Sequence, residues 1–201
     1  MAGVTIVDYG GGNVRSLRAA LERCGAEVDV SADPKRLATS ERLMLAGQGA
    51  AGSAMRALRE TGLAEAIRSA AARSVPLLGV CVGLQLLFDH SEEDDSACLG
   101  LIPGQVVRLA GAARLPHLGW NDVEQIRAHP LAVDLPAVAY FAHSYAVIAA
   151  GAAGLAQTTV DDASFVSLVA SGSVAGAQFH PERSAQAGRD LLQRFLAWDG
   201  A

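Results

Sequence analysis

Residues 76–85 read Pro76-Leu77-Leu78-Gly79-Val80-Cys81-Val82-Gly83-Leu84-Gln85, and no other stretch restricts the fold as tightly. A short apolar run leads into Cys81, helical spacing starts directly after it, and a glycine stands two residues to either side. G-x-C-x-G in this setting is the thiol form of the strand–turn–helix elbow that exposes a nucleophile. An elbow needs a strand inside a sheet and a helix leaving its end, which makes the chain α/β. Side chains at Gly79 or Gly83 would collide with neighbouring backbone. The helix amino terminus favours the thiolate, and the Val82 N–H would face the oxygen of a tetrahedral intermediate. The bland alternative is a buried cysteine that only fills the core. The flanking glycines favour the nucleophile.

The surrounding pattern agrees with a sheet. Residues 3–8 form a β-branched run that ends in a Gly-rich turn. Residues 14–23 then place Val14, Leu17 and Leu21 at helical spacing. Strands are expected at 26–30, 42–46 and 76–80, with helices at about 53–72 and 83–90. Strands alternating with helices imply a parallel sheet covered on both faces. The second half is β-rich at 106–109, 137–142, 145–149, 165–170 and 174–179, and a helix spans 187–198. Short Gly- or Asp-containing links suggest an antiparallel extension of the same sheet. Residues 1–201 thus read as one three-layer α/β domain, with a mainly parallel central sheet, helices on both faces and an antiparallel β extension.

Composition removes several function classes. With 51% hydrophobic and 18% charged residues, the chain is globular rather than disordered. A net charge of −5 argues against broad binding to a nucleic-acid backbone. No apolar run is long enough for a membrane span, and the first residues lack a secretory signal, so a cytoplasmic location is expected. Cys24, Cys81 and Cys98 show no CxxC spacing, which disfavours a disulfide framework or zinc site. Gly10 to Gly12 lack the spacing of a nucleotide-binding loop. Neither a cofactor nor a metal is expected.

A cysteine nucleophile needs a base and a group that holds the base. His180-Pro181-Glu182 follows the run at 174–179, and Pro181 biases His180 toward extended backbone. Residues i and i+2 then lean to one side, so Glu182 can reach the imidazole and stabilise its protonated form. His143 could also face the site. His117 falls in a Gly-containing loop, and His90 and His129 are expected at the surface. None of these has an acid placed like Glu182. A surface His beside a surface Glu is common, and it is the pairing with the elbow that makes the motif informative.

With both motifs in place, the sequence resembles the class I (triad) glutamine amidotransferases. More narrowly, it is similar to the glutaminase subunits of imidazole glycerol phosphate synthases. The likeness covers essentially the whole chain. The narrower resemblance rests on Asp8-Tyr9-Gly10-Gly11-Gly12-Asn13, Pro116-His117-Leu118-Gly119-Trp120-Asn121 and Tyr140-Phe141-Ala142-His143-Ser144-Tyr145. It implies Cys81 as nucleophile, His180 as base and Glu182 as orienting acid. Gly47, Gln48 and Gly49 would form an oxyanion strand that completes the hole with Val82. Gln85, Glu93, Ser144 and Tyr145 match positions that hold the substrate L-glutamine, Glu93 facing its α-ammonium group. The competing reading of Glu93 is a solvated acidic loop.

The resemblance further implies a partner, a cyclase subunit with a (β/α)8 barrel, joined in a heterodimer. Asn13, Pro116, His117, Trp120, Asn121, Tyr140 and Arg183 are the candidate docking residues. Two positions depart from the family pattern: Ala46 stands where Pro is usual, and Arg183 where Lys is common. Two other enzyme readings remain open, a glutaminase serving another synthase and a peptidase-like cysteine hydrolase. A non-catalytic binding subunit is the reading from a different class.

Overall fold

Leu77–Cys81 is buried along its whole length, which requires neighbours on both edges and cover on both faces. A computed structural model describing residues 2–133 and 138–200 supplies them. The first half runs β1 (Gly3–Val7), α1 (Val14–Arg23), β2 (Glu27–Ser31), α2 (Pro34–Ala38), β3 (Leu43–Gly47), α3 (Ala51–Glu60), α4 (Leu63–Ala72), β4 (Leu77–Cys81) and α5 (Val82–Gln85). The second continues with β5 (His90–Ser91), β6 (Ser96–Ala97), β7 (Gln105–Arg108), β8 (His117–Asp122), β9 (Glu124–Gln125), β10 (Val138–His143) and β11 (Tyr145–Val147). It ends with β12 (Gly154–Val160), β13 (Ala163–Ser171), β14 (Val174–Ala177) and α6 (Ala185–Ala197).

The main sheet has the order β2-β1-β3-β4-β14-β13-β12-β9. Its first five strands are parallel and the last three pairings antiparallel. Helices cover both faces, α1 packing with α6 and α2 and α3 with α4. Register then positions the chemistry. Gly47 lies opposite Cys81, and Ala177 opposite Val80. The carboxyl ends of β3, β4 and β14 therefore open onto one crevice, where α/β sheets bind their ligands.

Several expectations change. Only β13 and β14 of the five expected second-half strands extend the main sheet. β10 pairs with β8 in a separate ribbon, and β11 with β7 in a small sheet with β5 and β6. Residue 137, the first of one expected strand, lies outside the described residues. The helix expected at 53–72 is two, separated at Gly62, whose φ of 75° no interior helical residue adopts. The helix expected at 83–90 stops at Gln85. Carbonyls of Leu86, Leu87 and Phe88 accept instead from the N–H groups of residues 99–102, which draws the backbone out of the helix. α2, β8 and β12 form where no element was expected.

Candidate active site

The elbow is tightly enforced. Cys81 has φ 55° and ψ −112°, a conformation that costs a non-glycine residue about 1–3 kcal/mol and persists only where its surroundings impose it. As expected, its glycines are required. A Cβ at Gly83 would overlap the Leu45 carbonyl, and one at Gly79 would lie 2.5 Å from the Gly83 oxygen. α5 is a single turn of four residues, so the expected help from a helix dipole is small. The sulfur has other company. Its thiol donates to the Ala142 carbonyl at 3.8 Å, and the Gln178 side-chain amide donates to it at 3.8 Å.

His180 reaches the same sulfur from the end of β14. Its backbone N–H donates to the Tyr140 carbonyl at 2.9 Å, and its own carbonyl accepts from Ser184 Oγ at 2.7 Å. His180 is extended, as anticipated, but Glu182 lies in a short 3-10 turn, Pro181–Arg183. The turn, rather than an extended strand, swings the carboxylate back to His180 Nδ1 at 3.0 Å. With Nδ1 engaged, Nε2 is left for the Cys81 thiol. Burial disfavours the imidazolium, but hydrogen bonds to Cys81 and Glu182 and their charges outweigh it, and His180 is pushed up to about 10.

A cavity of about 500 Å³ opens in front of these groups. Gln85, Glu93, Ser144 and Tyr145 all border it, as do Gln48, Gly49 and Val82. Gly47 lies buried behind them at the end of β3. The Gln85 amide nitrogen is already committed to the Tyr145 carbonyl at 2.7 Å and Gln178 Oε1 at 3.2 Å, leaving its oxygen for a ligand. Glu93 Oε2 accepts the first N–H of α3, from Ala51, at 2.9 Å, and burial raises its pKa. It is therefore held beside the cavity rather than loose in an acidic loop.

The candidate docking residues divide. Asn13, Pro116 and Arg183 border the cavity. Along β8, Leu118 and Trp120 point outward, 65% and 54% exposed. Trp120 packs edge-on against Tyr140 at 6.1 Å, and the Arg183 guanidinium lies 5.3 Å from the Tyr140 ring centre. His117 and Asn121 are on the other side of that strand. His117 is buried against Phe141 and His143, and the Asn121 amide donates to the Thr159 carbonyl at 3.0 Å. Neither presents its side chain on the outward face.

The remaining histidines are also placed. His143 borders the cavity, and its Nδ1 bonds the Tyr145 carbonyl at 3.0 Å. Burial pushes it down to about 3, so it is neutral near pH 7. His90 and His129, expected at the surface, are half-buried. The first meets Asp95 at 2.9 Å and the second accepts the Leu131 N–H. Gln178 and Leu118 were not singled out in the sequence, and their residue types alone signal nothing. Among the described residues no cluster of His, Cys, Asp or Glu could hold a metal, and no helix is long and apolar enough to cross a membrane.

Comparison with known proteins gives the family. Residues 5–198 match the family described as glutamine amidotransferase class-I. The chain is 45% identical over 205 residues to imidazole glycerol phosphate synthase subunit HisH of Xylella fastidiosa strain Temecula1, covering 100% of both. It is 43% identical to the HisH subunit of Aromatoleum aromaticum, covering 98% of this chain and 99% of that one. The backbone superposes on a chain of the PurLQS structure from Thermotoga maritima with a TM-score of 0.77, at 22% identity and over 98% and 99% of the two chains. That structural likeness carries the fold alone. The chain belongs to the class-I glutamine amidotransferases and, within them, to the family of imidazole glycerol phosphate synthase HisH subunits.

Proposed function

We propose that this chain hydrolyses L-glutamine to glutamate and ammonia, and delivers the ammonia to a cyclase subunit making imidazole glycerol phosphate and an aminoimidazole carboxamide ribotide in histidine biosynthesis. One observation carries the catalytic part: a cysteine held at positive φ lines the same cavity as a histidine whose Nδ1 is gripped by Glu182.

In this reading His180 already holds the proton given up by the Cys81 thiol, and the sulfur attacks the side-chain carbonyl carbon of glutamine as the thiolate. The N–H groups of Val82 and of the 47–49 strand receive the oxyanion. His180 then gives its proton to the departing nitrogen, ammonia leaves, and a γ-glutamyl thioester stays on Cys81. Water, deprotonated by His180, releases glutamate. Glu182 keeps the ring oriented and offsets its positive charge through both steps. Glu93 faces the substrate ammonium, and Gln85, Ser144 and Tyr145 border the rest of the molecule.

Ammonia released to water near pH 7 is mostly ammonium and no nucleophile, so delivery needs a docked acceptor. A (β/α)8-barrel cyclase in a heterodimer is that acceptor in our reading, with Trp120, Tyr140, Arg183 and the cavity rim at Asn13 and Pro116 at the junction. Residues 1–201 act as one domain, in the cytoplasm. The deciding experiment pairs the chain with the cyclase. Cys81→Ala should abolish glutamine-dependent synthesis and leave synthesis from added ammonium salt intact; retained glutamine-dependent activity would sink the assignment.

A further inference from the structure

Gln178 is fully buried directly after β14, two residues before His180, and its side chain ends at the Cys81 sulfur. We propose that Gln178 is a dedicated hydrogen-bond donor to that sulfur, and that Gln85 and the Tyr145 carbonyl dictate which end of its amide points there. The inference deepens the reading of Cys81 as the nucleophile and rests on it.

An amide can be built in two orientations, and here the neighbours leave one. A backbone carbonyl only accepts, so the Gln85 atom 2.7 Å from the Tyr145 oxygen is nitrogen. The second proton of that nitrogen points at Gln178, 3.2 Å away, where the facing atom must accept and is therefore Oε1. Nε2 is then the end that meets Cys81 Sγ, at 3.8 Å. Turning the Gln178 amide over would set two NH2 groups against each other and a carbonyl against the sulfur. The three links run in one direction, each donor fixed by the acceptor before it.

The consequence is electrostatic. On another side the sulfur faces the Ala142 carbonyl, which suits a thiol that donates but repels a thiolate. Gln178 offers the reverse, an N–H that gains strength when the sulfur becomes charged. With no exposed surface at Gln178, water cannot replace the donor. Because α5 is a single turn, this side-chain amide does part of what a long helix would do at such an elbow.

The test is the ionisation midpoint of Cys81 in the full-length chain, read from iodoacetamide alkylation of the Cys81 peptide by mass spectrometry across pH. Gln178→Met keeps the length and removes the donor. It should raise the midpoint by about one pH unit, slow alkylation about tenfold on the acid side, and lower kcat with KM within about twofold. An unchanged midpoint in folded Gln178→Met overturns the donor role. Should that variant not fold, 15N-resolved spectra of the wild type decide. The Gln178 side-chain amide protons should shift through the same midpoint as Cys81, and an amide blind to that titration overturns the proposal. A wild type that never hydrolyses glutamine refutes the functional reading instead, whatever the midpoint does.

Discussion

Glu182 contacts His180 Nδ1 at 3.0 Å from a side chain only 2% exposed, and its second carboxylate oxygen has no partner among the described residues. A carboxylate held so dry acts almost wholly on the imidazole. Glu182→Gln keeps the shape and removes the charge, so the imidazolium is less favoured and His180 titrates well below about 10. Glutaminase turnover should fall on the order of 10⁴-fold, by analogy with neutralising the acid of a serine-protease triad. Steady-state kinetics and an NMR titration of His180 check the two parts.

The same pair makes stability depend on alkaline pH. His180 has a folded pKa of about 10 against an ordinary 6.5, so it binds a proton more tightly when folded. Its contribution is complete below pH 6.5 and lost as pH rises through about 10. Urea denaturation of the wild type should show falling stability across that window, and His180→Asn should flatten the slope.

His143 has the opposite sign. Burial pushes it to about 3, so between 6.5 and 3 the unfolded chain takes up a proton that the folded chain refuses. Stability should be present above pH 6.5 and decline as pH falls toward 3. Replacing His143 with Gln should reduce that acid sensitivity, measured as the urea midpoint against pH.

Glu93 joins a helix start to the cavity through the Ala51 N–H. Glu93→Gln should raise KM for glutamine about tenfold with little change in kcat, the pattern of a lost ground-state charge contact. Loss of the negative charge at the start of α3 should also cost about 0.3–1 kcal/mol, read by thermal unfolding.

Trp120, 54% exposed beside Leu118 at 65%, lies on the outward face of β8. In the docking we propose, Trp120→Ala should weaken cyclase binding by about 2 kcal/mol, near 30-fold, and leave the melting temperature of the isolated chain unchanged. Isothermal titration calorimetry and a thermal scan measure both.

Gly83→Ala tests the elbow. The added methyl overlaps the Leu45 carbonyl, which belongs to β3 and cannot move alone. A loss of about 3 kcal/mol is expected, lowering the melting temperature by about 6–12 °C for a chain of this size.

What could be read from the chain alone was local. The G-x-C-x-G elbow, the pairing of His180 with Glu182 and the alternating strands and helices of the first half each lie within a few residues, and periodicity and steric rules act at that range. Where burial was complete, periodicity failed. Leu84, Leu86, Leu87 and Phe88 are apolar all round, so nothing marked the end of α5, which bonds to residues 99–102 decide. β8 contains Gly119 and Asn121 and looked like a loop until β10 paired with it.

The sequence by itself therefore determined the α/β class, the nucleophile's turn and the histidine's neighbour, because each follows from short-range backbone geometry. Only the tertiary structure decided that His117 and Asn121 turn inward, and that Gln178 ends at a sulfur 97 positions away. Those outcomes depend on strand register and on which buried donors find acceptors, and both are settled by the whole fold at once.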